Sequence, residues 1–287
     1  MTRRPIAPRE RPSDDTAGRL PTDRQGSWYR TMALAGVILL ALAVPYGSTQ
    51  PADRLLVTVL DAAGAPVPGL TRDDFTVRRG GMEIDLVSVD PAPTTVQVVA
   101  IFEGLAVTQR QLTSALSTFI GSLDEESIVD MQSVEGALDA AIMEAIEDLA
   151  ARDAQRPVIL MLGQASEITP SALQSSQVRG RRRARDLMGD IDQLSARLVE
   201  HGIQFYGVSA AQVPLANLER LAQSNGGVFQ ILGAPTELGE TVEAIGRALG
   251  TQYLLSVSPA AGGLPEVTVA RVGAGTVRVG RLAATGP

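Results

Sequence analysis

The sequence predicts an α/β protein whose main domain has a mostly parallel central sheet flanked by helices. From residue 96 onward, short apolar runs of strand length alternate with segments in which apolar residues recur at helical spacing. Such alternation favours a parallel sheet that is covered by helices on its faces. Shorter β regions are predicted before and after this domain. The chain of 287 residues is long enough for one large domain and a smaller one.

The first fifty residues differ in composition from the rest. Residues 1–30 are rich in arginine and lack a periodic apolar pattern, which predicts disorder. Residues 31–49 predict a signal peptide or an uncleaved signal anchor, because the uncharged run 32–44 is short for a spanning helix. We therefore expect the remainder to be extracytoplasmic: periplasmic, secreted, or anchored to the membrane through 32–44. A buried helix of a soluble protein is the other interpretation, and the long flank leaves open a start codon assigned too early.

Residues 51–93 predict a small β module. Runs rich in apolar and β-branched residues are separated by turn sequences, of which Arg79-Gly80-Gly81 is the clearest. These runs cover residues 55–60, 75–77 and 84–89. The segment Pro91-Ala92-Pro93 is interpreted as a linker to the next domain.

Residues 96–259 predict the α/β domain. Its predicted strands cover residues 96–102, 158–162, 203–208 and 253–257, and a short strand is expected after the acidic turn Asp124-Glu125-Glu126. Apolar stripes at helical spacing are interpreted as core. They comprise residues 112, 115, 116, 119 and 120; 134, 137, 138, 141, 142 and 149; 187, 191, 194 and 198; 215, 218 and 221; and 238, 242, 245 and 249. Residues 260–287 predict a β tail of two short strands around Gly273-Ala274-Gly275.

The composition excludes most familiar catalytic sites. All 25 basic residues are arginine, so a phosphate-binding loop with lysine and Schiff-base chemistry are excluded. The chain has no cysteine and a single histidine, His201, which we interpret as a helix-end residue. The formal net charge of −7 gives no general attraction to nucleic acid. We therefore expect no enzyme activity and no nucleic-acid partner.

Glu103 has the position expected of a functional residue. It ends the apolar strand 96–102, and Thr108 with Gln111 has the spacing of a capping box that begins the next helix. In open α/β sheets, ligand sites lie beyond the carboxyl ends of the strands. Glu103 and the four residues after it therefore lie where a ligand site is expected.

Four segments of the sequence form a recognisable set through their order and spacing. They are Val57–Asp61 through Leu70 with Asp73-Asp74-Phe75, Val77 and Gly80; the strand 96–102; Leu221-Ala222 with Gly226-Gly227; and Gln252-Tyr253-Leu254-Leu255 with Ser258-Pro259. Together they resemble the von Willebrand factor type A-related proteins, especially the exported bacterial group of the acidobacterial type. The resemblance extends over about residues 53 to 281 and implies a Rossmann-like domain.

The resemblance also implies a metal-ion-dependent adhesion site, which is degenerate in this chain. The family's Asp-x-Ser-x-Ser loop corresponds to Glu103, Leu105 and Val107, and Gly136 stands where the family has a threonine. The family's second aspartate corresponds to Gly163 or Gln164. Leucine, valine and glycine side chains offer no oxygen ligand, so we expect no metal. Magnesium becomes a cofactor only if the site has been rebuilt from Glu103 with Asp124, Glu125, Glu126 or Glu167.

One dense basic cluster is a candidate surface for an acidic partner. It comprises Arg179, Arg181, Arg182, Arg183 and Arg185. Arginine binds carboxylates through bidentate contacts, but a solvated loop and first helical turn would have the same composition. No aromatic residues interleave with the cluster, which disfavours binding of single-stranded nucleic acid.

The function expected from the sequence is that of an exported, non-catalytic interaction or scaffold module of the von Willebrand factor type A kind. It would bind an unidentified protein partner without a bridging metal. One alternative is a metal-dependent adhesin-like protein with a rebuilt site around Glu103. A second alternative is a hydrolase, which the residue inventory disfavours because it lacks the common nucleophile and base combinations.

Overall fold

A computed structural model of the protein describes residues 52–103, 109–134, 137–163, 184–210, 215–259, 262–271 and 273–283. The side chains of residue 109 and of residues 184–190 are outside this description, as are the predicted segments 1–30 and 31–49. The described residues belong to one compact unit. Within these ranges, no helix has both the length and the apolar character needed to cross a membrane.

The described residues form twelve strands and five α-helices. The strands are β1 (Asp53–Asp61), β2 (Phe75–Arg79), β3 (Met82–Glu83), β4 (Leu86–Pro91), β5 (Gln97–Glu103), β6 (Ile128–Ser133), β7 (Pro157–Gly163), β8 (Gln204–Ser209), β9 (Val228–Ile231), β10 (Tyr253–Val257), β11 (Glu266–Val269) and β12 (Ala274–Arg281). The helices are α1 (Gln109–Gly121), α2 (Leu138–Ala151), α3 (Ala184–Glu200), α4 (Ala216–Gln223) and α5 (Leu238–Gly250).

Five of the strands form an all-parallel sheet in the order β6-β5-β7-β8-β9. Helices α1 and α5 pack on one face, and α2, α3 and α4 pack on the other. Every residue of the central strand β7 is buried, as expected for a parallel strand covered on both faces. This confirms the predicted α/β class with a helix-flanked parallel sheet, an arrangement compatible with a Rossmann-like fold.

The other seven strands form a β-sandwich. Four of them, β1 to β4, precede the parallel sheet in the chain, and three, β10 to β12, follow it. One antiparallel sheet has the order β12-β1-β10-β4, and the other has the order β11-β2-β3. Their inner faces share one core, to which Val57 of β1, Phe75 of β2 and Leu255 of β10 contribute. The α/β layer is thus inserted between β4 and β10.

Strand β10 lies in a different sheet from the one expected for it. We grouped residues 253–257 with the α/β domain, whereas β10 pairs with β1 and β4 of the sandwich. The predicted β tail also joins the N-terminal strands, since β12 pairs with β1 and β11 pairs with β2. The physical reason is visible in β10, where buried and half-buried residues alternate. Such a strand covers a core with one face only, as antiparallel strands commonly do.

Most members of the predicted helical stripes are buried; Leu112, Val134 and Ala137 are half-buried, Leu187 lies outside the described side chains, and one member is exposed. The buried members are Ala115, Leu116, Phe119, Leu138, Ala141, Ile142, Leu149, Ile191, Leu194, Leu198, Leu215, Leu218, Leu221, Leu238, Val242, Ile245 and Leu249. The exception is Ile120, which is 47% exposed near the end of α1, so its interpretation as core is wrong. Helix α2 begins at Leu138, so Val134 and Ala137, which the predicted stripe includes, lie before the helix. The four-residue strand β9 had no counterpart in the predictions.

Candidate functional site

The parallel sheet has a topological switch point between β5 and β7, where the strand order reverses direction. From β5 the chain continues through α1 on one face to β6, whereas β7 is followed by α3 on the opposite face before β8. Ligands of open α/β sheets bind beyond the carboxyl ends of the strands at such a point. The last residues of the two strands here are Glu103 and Gly163, which are register partners. The structure therefore places Glu103 at the expected position for a ligand site.

Glu103 and Gly163 are in close contact at this edge. Glu103 is 8% exposed. A Cβ atom on residue 163 would lie 2.8 Å from the backbone oxygen of Glu103 and 2.9 Å from its Cβ atom. Contacts this short require the backbone to shift, so glycine is the residue that fits. Gly163 is one of the two positions at which the resemblance described above leads us to look for an aspartate, and it has no room for a carboxylate side chain.

Backbone hydrogen bonds extend the sheet slightly past the strand ends. The Ala210 N–H donates to the Gly163 carbonyl at 3.1 Å, and the Leu232 N–H donates to the Ser209 carbonyl at 2.8 Å. On the other side of β5, the Val134 N–H donates to the Phe102 carbonyl at 2.8 Å. Across the described ranges, no three His, Cys, Asp or Glu side chains are grouped closely enough to hold a metal ion.

The acidic turn Asp124-Glu125-Glu126 lies at the opposite end of the sheet from Glu103. It precedes Ile128, which pairs with Gln97 at the start of β5. The length of β5 separates it from Glu103 by about 20 Å, at about 3.3 Å per residue. The turn therefore cannot share a metal with Glu103, and this version of the rebuilt site is wrong.

The structure gives the acidic turn a local role, as the surface-turn interpretation expected. Asp124 accepts hydrogen bonds from the Glu126 N–H at 3.1 Å and from Thr94 Oγ1 at 2.8 Å. These two hydrogen bonds, the backbone one first, lower the pKa of the Asp124 carboxyl.

Several predicted site residues lie outside the described residues. They are Leu105, Val107, Thr108, Gly136, Gln164, Glu167, Arg179, Arg181, Arg182 and Arg183. Arg185 belongs to α3, but its side chain is not described. The vestigial loop and the basic cluster therefore stay predictions. His201 follows the last residue of α3 and donates its N–H to the Arg197 carbonyl at 3.1 Å, in agreement with its interpretation as a helix-end residue.

A buried polar cluster that we did not predict joins the amino end of the sheet to the sandwich. Arg156 immediately precedes β7 and is 2% exposed. Its guanidinium donates to the carbonyl oxygens of Pro93 and Leu249 and to Oε1 of Gln252. Gln252 in turn donates from Nε2 to Thr58 Oγ1 of β1 at 2.8 Å. One arginine thus connects β7, the end of α5 and the sandwich through neutral oxygen acceptors.

Burial shifts the pKa values of two side chains in this region, Arg156 and Tyr206. It lowers the pKa of Arg156 to about 10, because the charged guanidinium is removed from water. It raises the pKa of Tyr206 in β8 to about 12, for the same reason acting on the phenolate. The positive charges of Arg278 and Arg156 oppose the second shift.

The Asn225-Gly226-Gly227 turn is a second contact between the α/β layer and the sandwich. Asn225 donates from Nδ2 to the carbonyl oxygens of Ile203 at 3.0 Å and Arg281 at 3.2 Å, and its Oδ1 accepts the Arg281 N–H at 2.6 Å. Gly226 has φ +77°, and a Cβ atom on Gly227 would lie 1.9 Å from the Phe205 carbonyl oxygen. The turn that follows α4 therefore also binds β12.

Comparisons with models of known families, with curated proteins and with solved structures give no match to this chain. What the fold defines is a mixed α/β protein whose five-stranded parallel sheet is flanked by helices.

Proposed function

We propose that the chain is an exported, non-catalytic interaction or scaffold module of the von Willebrand factor type A kind, which binds a protein partner without a bridging metal. The observation that carries the proposal is the contact between Glu103 and Gly163. At the switch point, one strand ends on a carboxylate and its neighbour ends on a glycine with no room for a side chain. A ligand site is therefore expected there, and within the described part of this edge no group of three acidic or histidine side chains is available to hold a metal ion.

The ligand chemistry supports binding without a metal. Magnesium prefers near-octahedral coordination by oxygen and loses its water reluctantly. Glu103 supplies one carboxylate, and the acidic turn Asp124-Glu125-Glu126 is about 20 Å away by the rise of β5. Among the described residues, Glu103 therefore does not have the additional oxygen ligands beside it that magnesium needs.

The same inventory supports a non-catalytic role. The chain has no cysteine and no lysine, and its one histidine lies beyond the end of α3. Acid–base hydrolysis by two carboxylates requires that they face each other across a cleft, at about 5 to 10 Å. Glu103 and the acidic turn are too far apart for this arrangement.

A metal titration separates the proposal from the metal-dependent alternative, in which Glu103 acts together with Glu167. The full chain would be unfolded thermally in magnesium, in manganese and in a chelator. A metal that binds the folded state at about 100 times its dissociation constant adds about 2.7 kcal/mol, which shifts the midpoint by several degrees. We expect no shift. A rise in either metal that is abolished by the chelator, and is lost in Glu103→Gln, would establish the alternative.

Partner binding is tested with the full chain as bait. Proteins captured from the envelope fraction would be compared in magnesium and in chelator, and one captured protein would then be purified and titrated against the bait. We expect direct binding whose affinity is the same in both conditions. Binding that requires magnesium, or the absence of any directly binding protein, would contradict the proposal. The five arginines at 179, 181, 182, 183 and 185 form the first surface to be replaced by glutamine in this assay.

Export is tested separately, because it rests on the sequence of residues 31–49 alone. A phosphatase that is active only outside the cytoplasm would be fused to the carboxyl end of the full chain. We expect activity from this fusion. Replacing Leu39 and Leu40 by arginine should abolish the activity, since charges in the apolar core of a signal oppose insertion. An inactive parent fusion that is expressed normally would place the protein in the cytoplasm.

A further inference from the structure

The three sheets of the described structure have six edge strands, and five of them have a feature that hinders pairing with another chain. Strands β3, β9 and β11 are short, with two, four and four residues. Strand β4 has an irregular register with β10 and ends at Pro91. The outer side of β12 is occupied at Arg281, whose backbone N–H and carbonyl both bind the side chain of Asn225.

The sixth edge strand, β6, has none of these features. It has six residues, contains no proline, and keeps a continuous register with β5 from Ile128 to Ser133. Its one charged residue is Asp130, and Arg152 at the end of α2 forms an ion pair with it. The charge that normally discourages pairing is therefore compensated within the chain itself.

The outward backbone groups of β6 are arranged symmetrically. The Ile128 N–H donates to the Val96 carbonyl and the Val134 N–H donates to the Phe102 carbonyl, so the even-numbered residues turn their backbone groups toward β5. The intervening residues Val129, Met131 and Ser133 turn theirs away from the sheet. Met131 is the middle one of the three. A second β6 strand running antiparallel, with a two-fold axis at Met131, would therefore match every outward donor with an acceptor.

The side chains fit this register. Met131 is 69% exposed and would lie opposite Met131 of the second copy. Val129 would lie opposite Ser133, and Asp130 would lie opposite Gln132, so no like charges face each other. About six backbone hydrogen bonds would connect the two strands, two for each outward pair.

We propose that two copies of this chain associate through β6 in this antiparallel register and join their parallel sheets into one continuous sheet. The interface is isologous, since the same strand acts on both sides. It uses a surface other than the switch point at Glu103, and it does not depend on the function proposed above.

The test is the mass of the full chain in solution by sedimentation equilibrium, in a mild detergent because of the apolar run 32–44. From about 1 to 100 µM, a range that reports dissociation constants in the micromolar region, we expect twice the chain mass of 30.1 kDa. Met131→Lys and Met131→Glu each place like charges at the two-fold axis. Each should raise the dimer dissociation constant by at least about tenfold.

An equal mixture of the two charged variants supplies the decisive measurement. Lysine and glutamate would then lie opposite each other, and we expect the mixture to form a heterodimer. The matched control is Ile231→Lys on the other edge strand of the same sheet, where the side chain is 39% exposed, and it should dimerise like the parent chain. Thermal unfolding of all variants checks that each one is folded.

The absence of cysteine from the chain permits a second measurement. In Met131→Cys the two new cysteines, one in each copy, would have their Cα atoms about 5.5 Å apart. This distance is within the range that a disulfide spans. We expect a disulfide-linked dimer on mild oxidation, and none for Ile231→Cys. A parent chain that stays monomeric to about 100 µM, a Met131→Lys variant with unchanged affinity, or a mixture that stays monomeric would each overturn the proposal.

Discussion

The carboxyl end and the amino end of the parallel sheet are held by different kinds of contact. At the carboxyl end, backbone hydrogen bonds join neighbouring strands, and Glu103 lies against a glycine. At the amino end, buried side chains of Arg156, Gln252 and Asn225 bind groups from the α/β layer and the sandwich together. Among the described residues, this network of buried side chains therefore joins the two layers at the end of the sheet where ligands are not expected.

This difference assigns a structural role to polar residues that composition alone would mark as functional candidates. A buried arginine, a buried tyrosine with a raised pKa and a buried asparagine often indicate an active site. Here the arginine and the asparagine donate to backbone carbonyls, and the arginine also donates to the side chain of Gln252 beside the sandwich. The contrast predicts large effects of substitution at the amino end and small effects at Glu103.

The largest effect is expected for Gly227→Ala. The new Cβ atom would lie 1.9 Å from the Phe205 carbonyl oxygen, so the turn before β9 must move. We expect a loss of at least about 3 kcal/mol in the free energy of unfolding, measured with chemical denaturant. Gly239→Ala in α5 is the control, because nothing lies within 4 Å of its new Cβ atom. Similar stabilities for the two variants would show that the turn adapts and that the amino end is not rigid.

The next effect is the loss of Arg156. Arg156→Met leaves buried oxygens of Pro93, Leu249 and Gln252 without their donor, and should lower the free energy of unfolding by about 3 kcal/mol. The matched control is Arg152→Met, whose ion pairs with Asp130 and Asp148 are partly exposed. Ion pairs that are exposed to water contribute much less to stability than buried hydrogen bonds to a charged group. Equal losses in the two variants would remove the distinction between buried and surface arginines.

The third prediction concerns alkaline pH. Tyr206 has a pKa of about 12 in the folded chain, against about 10 when unfolded, so its stabilising contribution is complete below pH 10 and is lost as the pH rises toward 12. Arg156 acts in the opposite direction, because its pKa of about 10 in the folded chain lies below its value in the unfolded chain. Its contribution to the free energy of unfolding therefore increases as the pH rises over the same interval.

Denaturant unfolding from about pH 9 to pH 11.5 separates these two contributions. Relative to the parent chain, Tyr206→Phe should lose less stability as the pH rises, with a difference of about 2 kcal/mol. Arg156→Met should lose more. Parallel pH profiles for all three proteins would show that burial at this end does not perturb the two groups.

The smallest effect is expected at the carboxyl end. Glu103→Gln keeps the size of the side chain and a hydrogen-bond acceptor, and should change the free energy of unfolding by less than about 1 kcal/mol. Denaturant unfolding with and without magnesium measures this change. A decrease of more than about 2 kcal/mol in the free energy of unfolding would make Glu103 nearly as important to folding as Arg156. The two ends of the sheet would then not differ in their sensitivity to substitution.

Local patterns in the sequence predict where the helices and strands of this fold lie better than they predict which strands pair with each other. The apolar run 158–162 and the helical stripe that begins at Leu238 are both present as expected, because their burial is a property of the segment itself. The partner of β10 was not predictable in this way. Tyr253–Val257 pairs with β1, nearly two hundred residues earlier, and no local signal specifies so distant a pairing. Strand β9 was missed because it is short and its last two residues are exposed.

The candidate site was predictable in position, whereas the polar cluster was not. The end of an apolar strand at Glu103 is visible in the sequence and suffices to place it at the carboxyl edge. Arg156 lies between a polar segment and Pro157, a context that is equally typical of an exposed loop residue. Its burial depends on Leu249 and Gln252, which are distant in sequence. The Asn225-Gly226-Gly227 turn did carry a signal, but the signal specified a turn and not its contact with β12.

The division of the sandwich between the two chain ends has a consequence for synthesis. The hydroxyl of Tyr253 accepts a hydrogen bond from the Leu70 N–H, and these residues are 183 positions apart. At about 5 to 20 residues per second, a ribosome needs roughly 10 to 40 seconds to make the chain between them. Throughout that interval the apolar strand around Leu55 and Val57 is without β10 and β12, while the inserted layer can already assemble. The N-terminal strands therefore cannot complete their sheet until β10 and β12 have been made.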